Sequence, residues 1–86
     1  MKKNVQLRVN HPNGKRWILT VEKKGKIIIT KWDKEGNMYS RDIWSFNTGD
    51  GILRTWNPNG QIALEEVYNV NGSISTVMYD DNGDVI

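Results

Sequence analysis

Residues 56–83, WNPNGQIALEEVYNVNGSISTVMYDDNG, place an aromatic side chain four positions before a glycine three times. The three pairs are Trp56 and Gly60, Tyr68 and Gly72, and Tyr79 and Gly83. Mostly asparagine, aspartate and proline stand between the members of each pair, and these residues favour tight turns. A short run rich in apolar residues separates one turn from the next, which is typical of β-strands. The stretch therefore predicts successive β-hairpins.

The same spacing extends over the whole chain. A large hydrophobic residue precedes a glycine by four or five positions at Val9, Val21, Trp32, Trp44, Trp56, Tyr68 and Tyr79. These residues are 11 or 12 positions apart, so two strands and two turns occupy about 23 residues. We predict a single domain over 1–86, with units at approximately 9–31, 32–55 and 56–78 and a partial unit at 79–86. The predicted fold is all-β, an antiparallel meander of six or seven strands in one twisted or curled sheet.

Turn chemistry predicts which residues face each other across the hairpins. A type I turn with a glycine bulge suits the turns after Trp32 and Trp56, and two-residue loops suit the turns after Val21 and Tyr68. The predicted opposite pairs are Trp32 with Met38, Trp56 with Ile62, Val21 with Ile28, and Tyr68 with Ser75. Because alternate residues of a strand point to opposite sides, this register predicts that all four tryptophans share one face, which we expect to be the core.

The second face predicted by this register mixes basic and aliphatic residues. Arginine and aromatic side chains beside aliphatic ones are the usual composition of the centre of a protein interface. We therefore predict that a partner binds to Arg8, Arg16, Ile18, Ile27, Ile29, Lys31, Tyr39 and Arg41.

The charges of the chain are distributed unevenly. Residues 1–43 carry eleven lysines and arginines against four acids, giving +7, whereas residues 44–86 carry one base against six acids, giving −5. Cysteine is absent, which excludes disulfides and thiolate metal sites. No apolar run is long enough for a membrane span of about 20 residues, and the basic N-terminus lacks the apolar run of a secretory signal. We expect a cytoplasmic protein of a bacterium or a phage-infected host cell, with no membrane partner.

Residues 56–72, WNPNGQIALEEVYNVNG, resemble the MORN-variant repeats known from antitoxin-like bacterial proteins. The matching positions are Trp56, Asn59, Gly60, Gln61, Ile62, Glu65, Tyr68, Asn71 and Gly72. The segment YDDNG at 79–83 matches the start of a further repeat, WDKEG at 32–36 matches more loosely, and the remainder matches by spacing only. The resemblance implies a β-hairpin repeat that acts by contact and transfers no catalytic residue.

Few residues suggest catalysis or metal binding. His11 is the only histidine and lies in a turn, so we expect a solvated or capping role. Glu65 and Glu66 should point to opposite faces of a strand, with Glu66 on the predicted core face and paired with Arg54 or at the rim. The segment NTGDG at 47–51 lacks the lysine of a phosphate loop and is interpreted as a lengthened turn. We predict no catalytic residues, no metal and no cofactor.

Three classes of function remain after these exclusions. The first is a small non-enzymatic interaction module, antitoxin-like or inhibitor-like, that binds a protein through the mixed basic and apolar face or through an edge strand. The second is nucleic-acid binding by the basic N-terminal half, where Trp17, Trp32 and Tyr39 lie among lysines and arginines. The third is a homo-oligomer in which the basic half of one copy meets the acidic half of another.

Overall fold

The chain reverses direction at turns that share one hydrogen-bonding pattern. A computed structural model describes residues 4–86, so the first three residues of the predicted domain lie outside the described part. In one turn, the Asp33 N–H donates to the Asn37 carbonyl at 2.8 Å, and the Gly36 N–H donates back to the Asp33 carbonyl at 3.1 Å. Gly36 has φ of 96°, which glycine adopts without strain. The same two bonds occur in the turns that begin at His11, Asn57, Asn69 and Asp80.

Two turns differ from this pattern, both in the way that the sequence predicts. Lys23 pairs directly with Lys26, so Lys24 and Gly25 form a two-residue loop. Their φ angles of 52° and 77° are both positive, as a type I′ turn requires. The predicted lengthened turn runs from Ser45 to Asp50, with the Ser45 N–H donating to the Asp50 carbonyl at 2.9 Å.

We expect Lys24→Asn to stabilise the protein by about 0.5–1 kcal/mol, because asparagine tolerates positive φ much better than lysine does. Thermal denaturation should show a higher melting temperature. Lys34→Asn is the matched control, since it removes the same charge from a turn residue without positive φ. Equal melting temperatures for the two variants would contradict this explanation.

The strands form one open antiparallel sheet whose spatial order follows the chain. They are β1 (Asn4–Asn10), β2 (Arg16–Lys23), β3 (Lys26–Trp32), β4 (Met38–Ser45), β5 (Gly51–Trp56), β6 (Ile62–Tyr68) and β7 (Ile74–Met78). The overall extents are 36 × 34 × 20 Å, whereas a flat sheet layer is only about 10 Å thick. The sheet is therefore strongly twisted, and the predicted all-β meander is confirmed. No helix among residues 4–86 is long and apolar enough to cross a membrane.

The register confirms three of the four predicted opposite pairs. These are Trp32 with Met38, Trp56 with Ile62, and Val21 with Ile28. The fourth prediction is wrong, because Tyr68 lies opposite Ile74. The reason is that the turn beginning at Asn69 has the longer pattern described above and is not a two-residue loop.

The predicted assignment of side chains to faces is also wrong, because β1, β2, β4 and β6 each contain a bulge. In the first hairpin, the extra residues are Gln6 of β1 and Trp17 of β2. Trp32 pairs with Met38, but the next pair is Lys31 with Ser40, so Tyr39 is an extra residue in β4. Ala63 is the corresponding extra residue in β6. Each extra residue reverses the side-chain alternation along the rest of its strand. As a result, Trp44 lies on the other side of the sheet from Trp32.

The sheet has two sides that differ in composition. We call the side that carries Val21, Ile28 and Trp32 the arginine face, for the reason given below. The other side, which carries Ile29 and Trp44, is called the opposite face.

An aromatic cluster packs over a glycine on the opposite face. Gly51 pairs directly with Trp44 on one side and with Tyr68 on the other. The two rings meet over the glycine, with centroids 4.9 Å apart and planes inclined by 51°. Gly51 is buried, but no large side chain among residues 4–86 is fully buried. The protein therefore has a partly covered surface on each face in place of one enclosed core.

Candidate functional site

All four arginines of the chain lie on one side of the sheet. The register aligns Arg8 with Leu19 and Arg41 with Arg54, and Thr30 connects the two pairs across β3. The Arg16 guanidinium carbon lies 5.4 Å from the centroid of the Trp32 ring on the same side, within the range of a cation–π contact. Among the acidic residues of the strands, only Glu65 shares this face; Glu22, Asp42 and Glu66 lie on the opposite face.

An aliphatic row crosses the arginine face from strand to strand. Each member pairs directly with the next, and the row consists of Val5, Val21, Ile28, Ile43, Ile52 and Val67. On the same face, the arginines of β1, β4 and β5 border the aliphatic row along one of its long edges. Lys23 and Lys26 border it along the other. The face therefore combines a continuous apolar strip with positively charged borders.

Two neighbouring hollows open on the arginine face. The first has a volume of about 290 Å³ and is lined by Arg16, Leu19, Val21, Ile28, Thr30, Trp32, Met38 and Arg41. The second, of about 440 Å³, is lined by Lys15, Arg16, Trp32 and Gly36. Arg16 and Trp32 belong to both linings, so their cation–π pair lies between the two hollows. Each hollow thus offers cationic groups next to an aromatic ring, and the first also has an aliphatic floor.

Arg41 lies directly opposite Arg54 on the neighbouring strand. Like charges in this position destabilise a sheet. Arg54 is compensated, because its Nε donates to Glu65 Oε2 at 2.6 Å, with the two side chains 40% and 26% exposed. Within residues 4–86, Arg41 has no such ion pair and is exposed. Arg41 is therefore a cation at the border of the first hollow that an external anion can stabilise.

The two neighbouring glutamates of β6 have separate partners. As the sequence predicts, they point to opposite faces, but the predicted pairing of Glu66 with Arg54 is wrong, because Glu65 occupies that position. Glu66 instead accepts a hydrogen bond from the Tyr68 hydroxyl at 3.4 Å. Desolvation and the charge of Glu66 raise the pKa of Tyr68 above its usual value. This contact belongs to the opposite face and leaves the arginine face basic.

The residues predicted from sequence as one binding patch lie on both sides of the sheet. Arg8, Arg16 and Arg41 lie on the arginine face. The register places Ile18, Ile27, Ile29 and Lys31 on the opposite face. Tyr39 is the extra residue of the β4 bulge. The structure therefore brings together the three arginines of the predicted patch and separates them from its aliphatic residues.

Sequence reasoning missed the apolar lining of the first hollow. It assigned Trp32 to a buried core, and it did not include Leu19, Val21, Ile28 or Met38 in the predicted binding patch. The glycine bulge of the turn after Trp32 already belongs to the predicted register, and no sequence signal indicates the additional bulge at Tyr39 that shifts Arg41 onto the side of Trp32.

A contact between turns fixes the outer wall of the second hollow. His11 is buried and 8% exposed, its ring is stacked on Trp17 at 4.7 Å, and its Nε2 donates to the Trp32 carbonyl at 2.8 Å. Asn13 Nδ2 donates to the Lys34 carbonyl at 3.0 Å, and Lys15 Nζ donates to the Glu35 carbonyl at 3.3 Å. The expected solvated role of His11 is therefore wrong; this histidine attaches the first turn to the turn after β3.

The acceptor turn of this contact has its own internal bonds. Asp33 Oδ1 accepts the N–H groups of Asn37 at 2.9 Å and Glu35 at 3.0 Å. These bonds favour the carboxylate and lower the pKa of Asp33. The turn is thus a preorganised support for Trp32 and for the hollow beside it.

Comparisons with protein-family models, with curated proteins and with solved structures found no match for this chain.

Proposed function

We propose that the chain is a non-enzymatic protein-interaction module, of the antitoxin-like or inhibitor-like kind, that binds an acidic partner through the arginine face. The observation that carries this proposal is Arg41, which lies opposite a second arginine and borders a hollow with an aliphatic floor. A carboxylate of the partner would relieve the repulsion between the two guanidinium groups. The resemblance to MORN-variant repeats supports a role by contact in the bacterial or phage-infected cytoplasm.

The composition of the arginine face favours a protein partner over a nucleic acid. Proteins that bind single strands stack bases on accessible aromatic rings. On this face, the register places the rings of Trp32 and Trp56, whereas the strip between the basic borders is made of valine and isoleucine. The ring of Trp17 in β2 is already stacked on His11. Branched aliphatic side chains complement apolar side chains of a protein and offer no stacking surface to a base. The partner segment should therefore combine carboxylates with aliphatic or aromatic side chains.

The test begins with selection of binders from a library of random displayed peptides. We expect the selected sequences to be enriched in aspartate and glutamate next to large apolar residues. The affinity of the best peptide is then measured by fluorescence anisotropy for the wild type, for Arg41→Glu and for Lys31→Glu. Both variants reverse one charge in the same part of the sheet, but Lys31 lies on the opposite face.

Arg41→Glu should weaken binding of the selected peptide about tenfold or more, since the attraction between Arg41 and a carboxylate of the peptide is replaced by a repulsion. Lys31→Glu should change the affinity less than about twofold. Arg41→Glu should also raise resistance to urea, because it replaces the repulsion by Arg54 with an attraction. Loss of binding with increased stability cannot result from unfolding. Equal loss in both variants would overturn the assignment of the site to the arginine face.

Two further measurements separate the alternative functions. If a single-stranded oligonucleotide binds more tightly than any selected peptide, and its affinity falls steeply with salt, the protein is a nucleic-acid binder. Light scattering at low and high salt tests self-association. A salt-sensitive oligomer would indicate that the basic and acidic halves of different copies pair, and would leave the arginine face occupied by the chain itself.

A further inference from the structure

The two edges of the sheet are not equivalent. Next to β7, the C-terminal segment turns back, so that Tyr79 forms a bridge with Val85 and the Ile86 N–H donates to the Met78 carbonyl at 2.9 Å. Part of this edge is therefore already paired. Within residues 4–86, no strand pairs with the outer side of β1, which contains no proline. A bulge at Gln6 interrupts this strand, so its regular part runs from Leu7 to Asn10.

The hydrogen bonds of the first hairpin show which backbone groups of β1 point outward. The His11 N–H donates to the Lys15 carbonyl at 2.8 Å, which closes the hairpin. That hairpin contains a bulge at Trp17, so the alternation is counted from the two-residue loop, where Lys23 and Lys26 form a bonded pair. Counted from there along β2, Thr20 and Ile18 bond to β1, so their partners Leu7 and Val9 bond to β2, and the N–H and C=O of Arg8 point to the free edge. The other edge of the sheet provides a check of this rule. When the alternation is counted from Asn69 along β6 and across to β7, the Met78 carbonyl should point outward. The structure agrees, because this carbonyl accepts the Ile86 N–H.

The side chains along β1 make this edge basic on one face of the sheet and apolar on the other. Arg8 projects onto the arginine face, whereas Leu7 and Val9 project onto the opposite face. Leu7 is 49% exposed, so a large apolar surface lies beside the unpaired backbone. An added strand would place alternate residues next to Arg8 on one side and next to Leu7 and Val9 on the other.

We propose that β1 accepts an extended acidic segment of the partner as an additional antiparallel strand of the sheet. The segment carries a carboxylate beside Arg8 and apolar side chains beside Leu7 and Val9. This inference rests on the proposed function, since it specifies how the partner of the arginine face is held. Strand addition supplies affinity through main-chain bonds and specificity through alternate side chains. A second copy of β1 fits less well, because antiparallel pairing would bring two Arg8 guanidinium groups close together.

The probe is a short capped peptide of alternating glutamate and valine in which every valine nitrogen is methylated. In antiparallel pairing, the peptide residue that is hydrogen-bonded to Arg8 has its side chain on the same face as Arg8. A glutamate beside Arg8 therefore points its backbone N–H toward β1, and the methylated valine nitrogens point away from β1. We expect this peptide to bind and to slow amide exchange of Arg8, with no change at Thr76 on the other edge. The isomeric design with methylated glutamate nitrogens and free valine N–H groups should bind at least about tenfold more weakly, since its donors to β1 are blocked.

The protein side is tested with two substitutions at the same position. Arg8→Ala removes the side chain and its charge but keeps the outward N–H. Arg8→Pro also removes this N–H, and proline is tolerated in an edge strand. Binding of the valine-methylated peptide should fall further for Arg8→Pro than for Arg8→Ala, and Thr76→Pro should leave it unchanged. Exchange of the wild-type amides remains decisive if Arg8→Pro does not fold.

The outcomes distinguish this inference from the proposed function. If acidic peptides bind and Arg41→Glu weakens them, but Arg8 exchange is unchanged and both methylation patterns bind equally, strand addition is overturned and the arginine face is retained. If the peptide slows Arg8 exchange while Arg41→Glu has no effect, the edge is the site and the proposed face is wrong. Failure of both methylated peptides to bind at millimolar concentration overturns strand addition.

Discussion

Gly51→Val should destabilise the protein by about 3 kcal/mol or more, because the position has no space for a side chain. A Cβ atom there would overlap with Cε3 of Trp44 and would lie 2.8 Å from the Ile43 carbonyl oxygen. The Trp44 ring would have to leave Gly51, and its contact with Tyr68 would be lost. Urea denaturation followed by tryptophan fluorescence measures the loss of unfolding free energy. For a chain of 86 residues, this loss is a large fraction of a total stability of about 4–13 kcal/mol.

The control for this prediction is Gly49→Ala in the preceding turn. Gly49 has φ of 78° and open space around it, so alanine there costs only the backbone strain of about 1–2 kcal/mol. Gly51 has no positive φ, and its requirement for glycine is purely one of contact with the ring. If Gly51→Val proved no more destabilising than Gly49→Ala, the aromatic cluster would not be the main source of stability on the opposite face.

His11→Ala should destabilise the protein by about 2–4 kcal/mol. The substitution leaves the Trp32 carbonyl without its 2.8 Å donor, which costs about 1–3 kcal/mol in a partly buried site. It also removes the stacked contact with Trp17, worth about 0.5–1.5 kcal/mol. Thermal and urea denaturation both measure the effect, and the fluorescence of the native state should change because Trp17 loses its cover.

Asn57→Ala is the matched control, since Asn57 occupies the same position of its turn and its side chain forms no hydrogen bond within residues 4–86. It should lower stability by less than about 0.5 kcal/mol. A similar loss in the two variants would mean that the turn position itself, and not the contact between turns, is responsible for the effect of His11→Ala.

The strands and turns could be predicted because their signals are local. Asparagine, aspartate and glycine at fixed positions determine where the chain reverses, and Trp56 faces Ile62 because a type I turn with a glycine bulge sets this register. The turn after Tyr68 was mistaken for a two-residue loop because its NG dipeptide suits both turn types. Only the longer pattern lets the Asn69 N–H donate to the Ser73 carbonyl.

The faces could not be predicted because the sheet is a single layer with apolar residues on both sides. In a sheet with one buried side, a wrong alternation places charges in the core and is recognised immediately. Here, reversing the alternation in β4 exchanges Ile43 for Trp44, and both residues fit a partly covered surface. The bulge at Tyr39 therefore leaves no trace in the hydrophobic pattern.

The candidate site depends on this hidden feature. Arg41 joins the arginine face only because Tyr39 is an extra residue, and without the bulge it would share a side with Ile29 and Lys31. Basic composition in the N-terminal half was visible in the sequence, but its concentration on one side required the register.

The serial order of the strands has a consequence for how the chain reaches this structure. Each strand contacts only its neighbours in sequence, so no pairing requires the closure of a long loop. Proteins with such local contacts fold faster than sandwiches or barrels of similar size. Folding can begin at any hairpin and spread in both directions, as in other linear arrays. The hairpin with the tightest turn, between β2 and β3, is the natural starting point, and the two outermost strands should be the last to form and the first to fray.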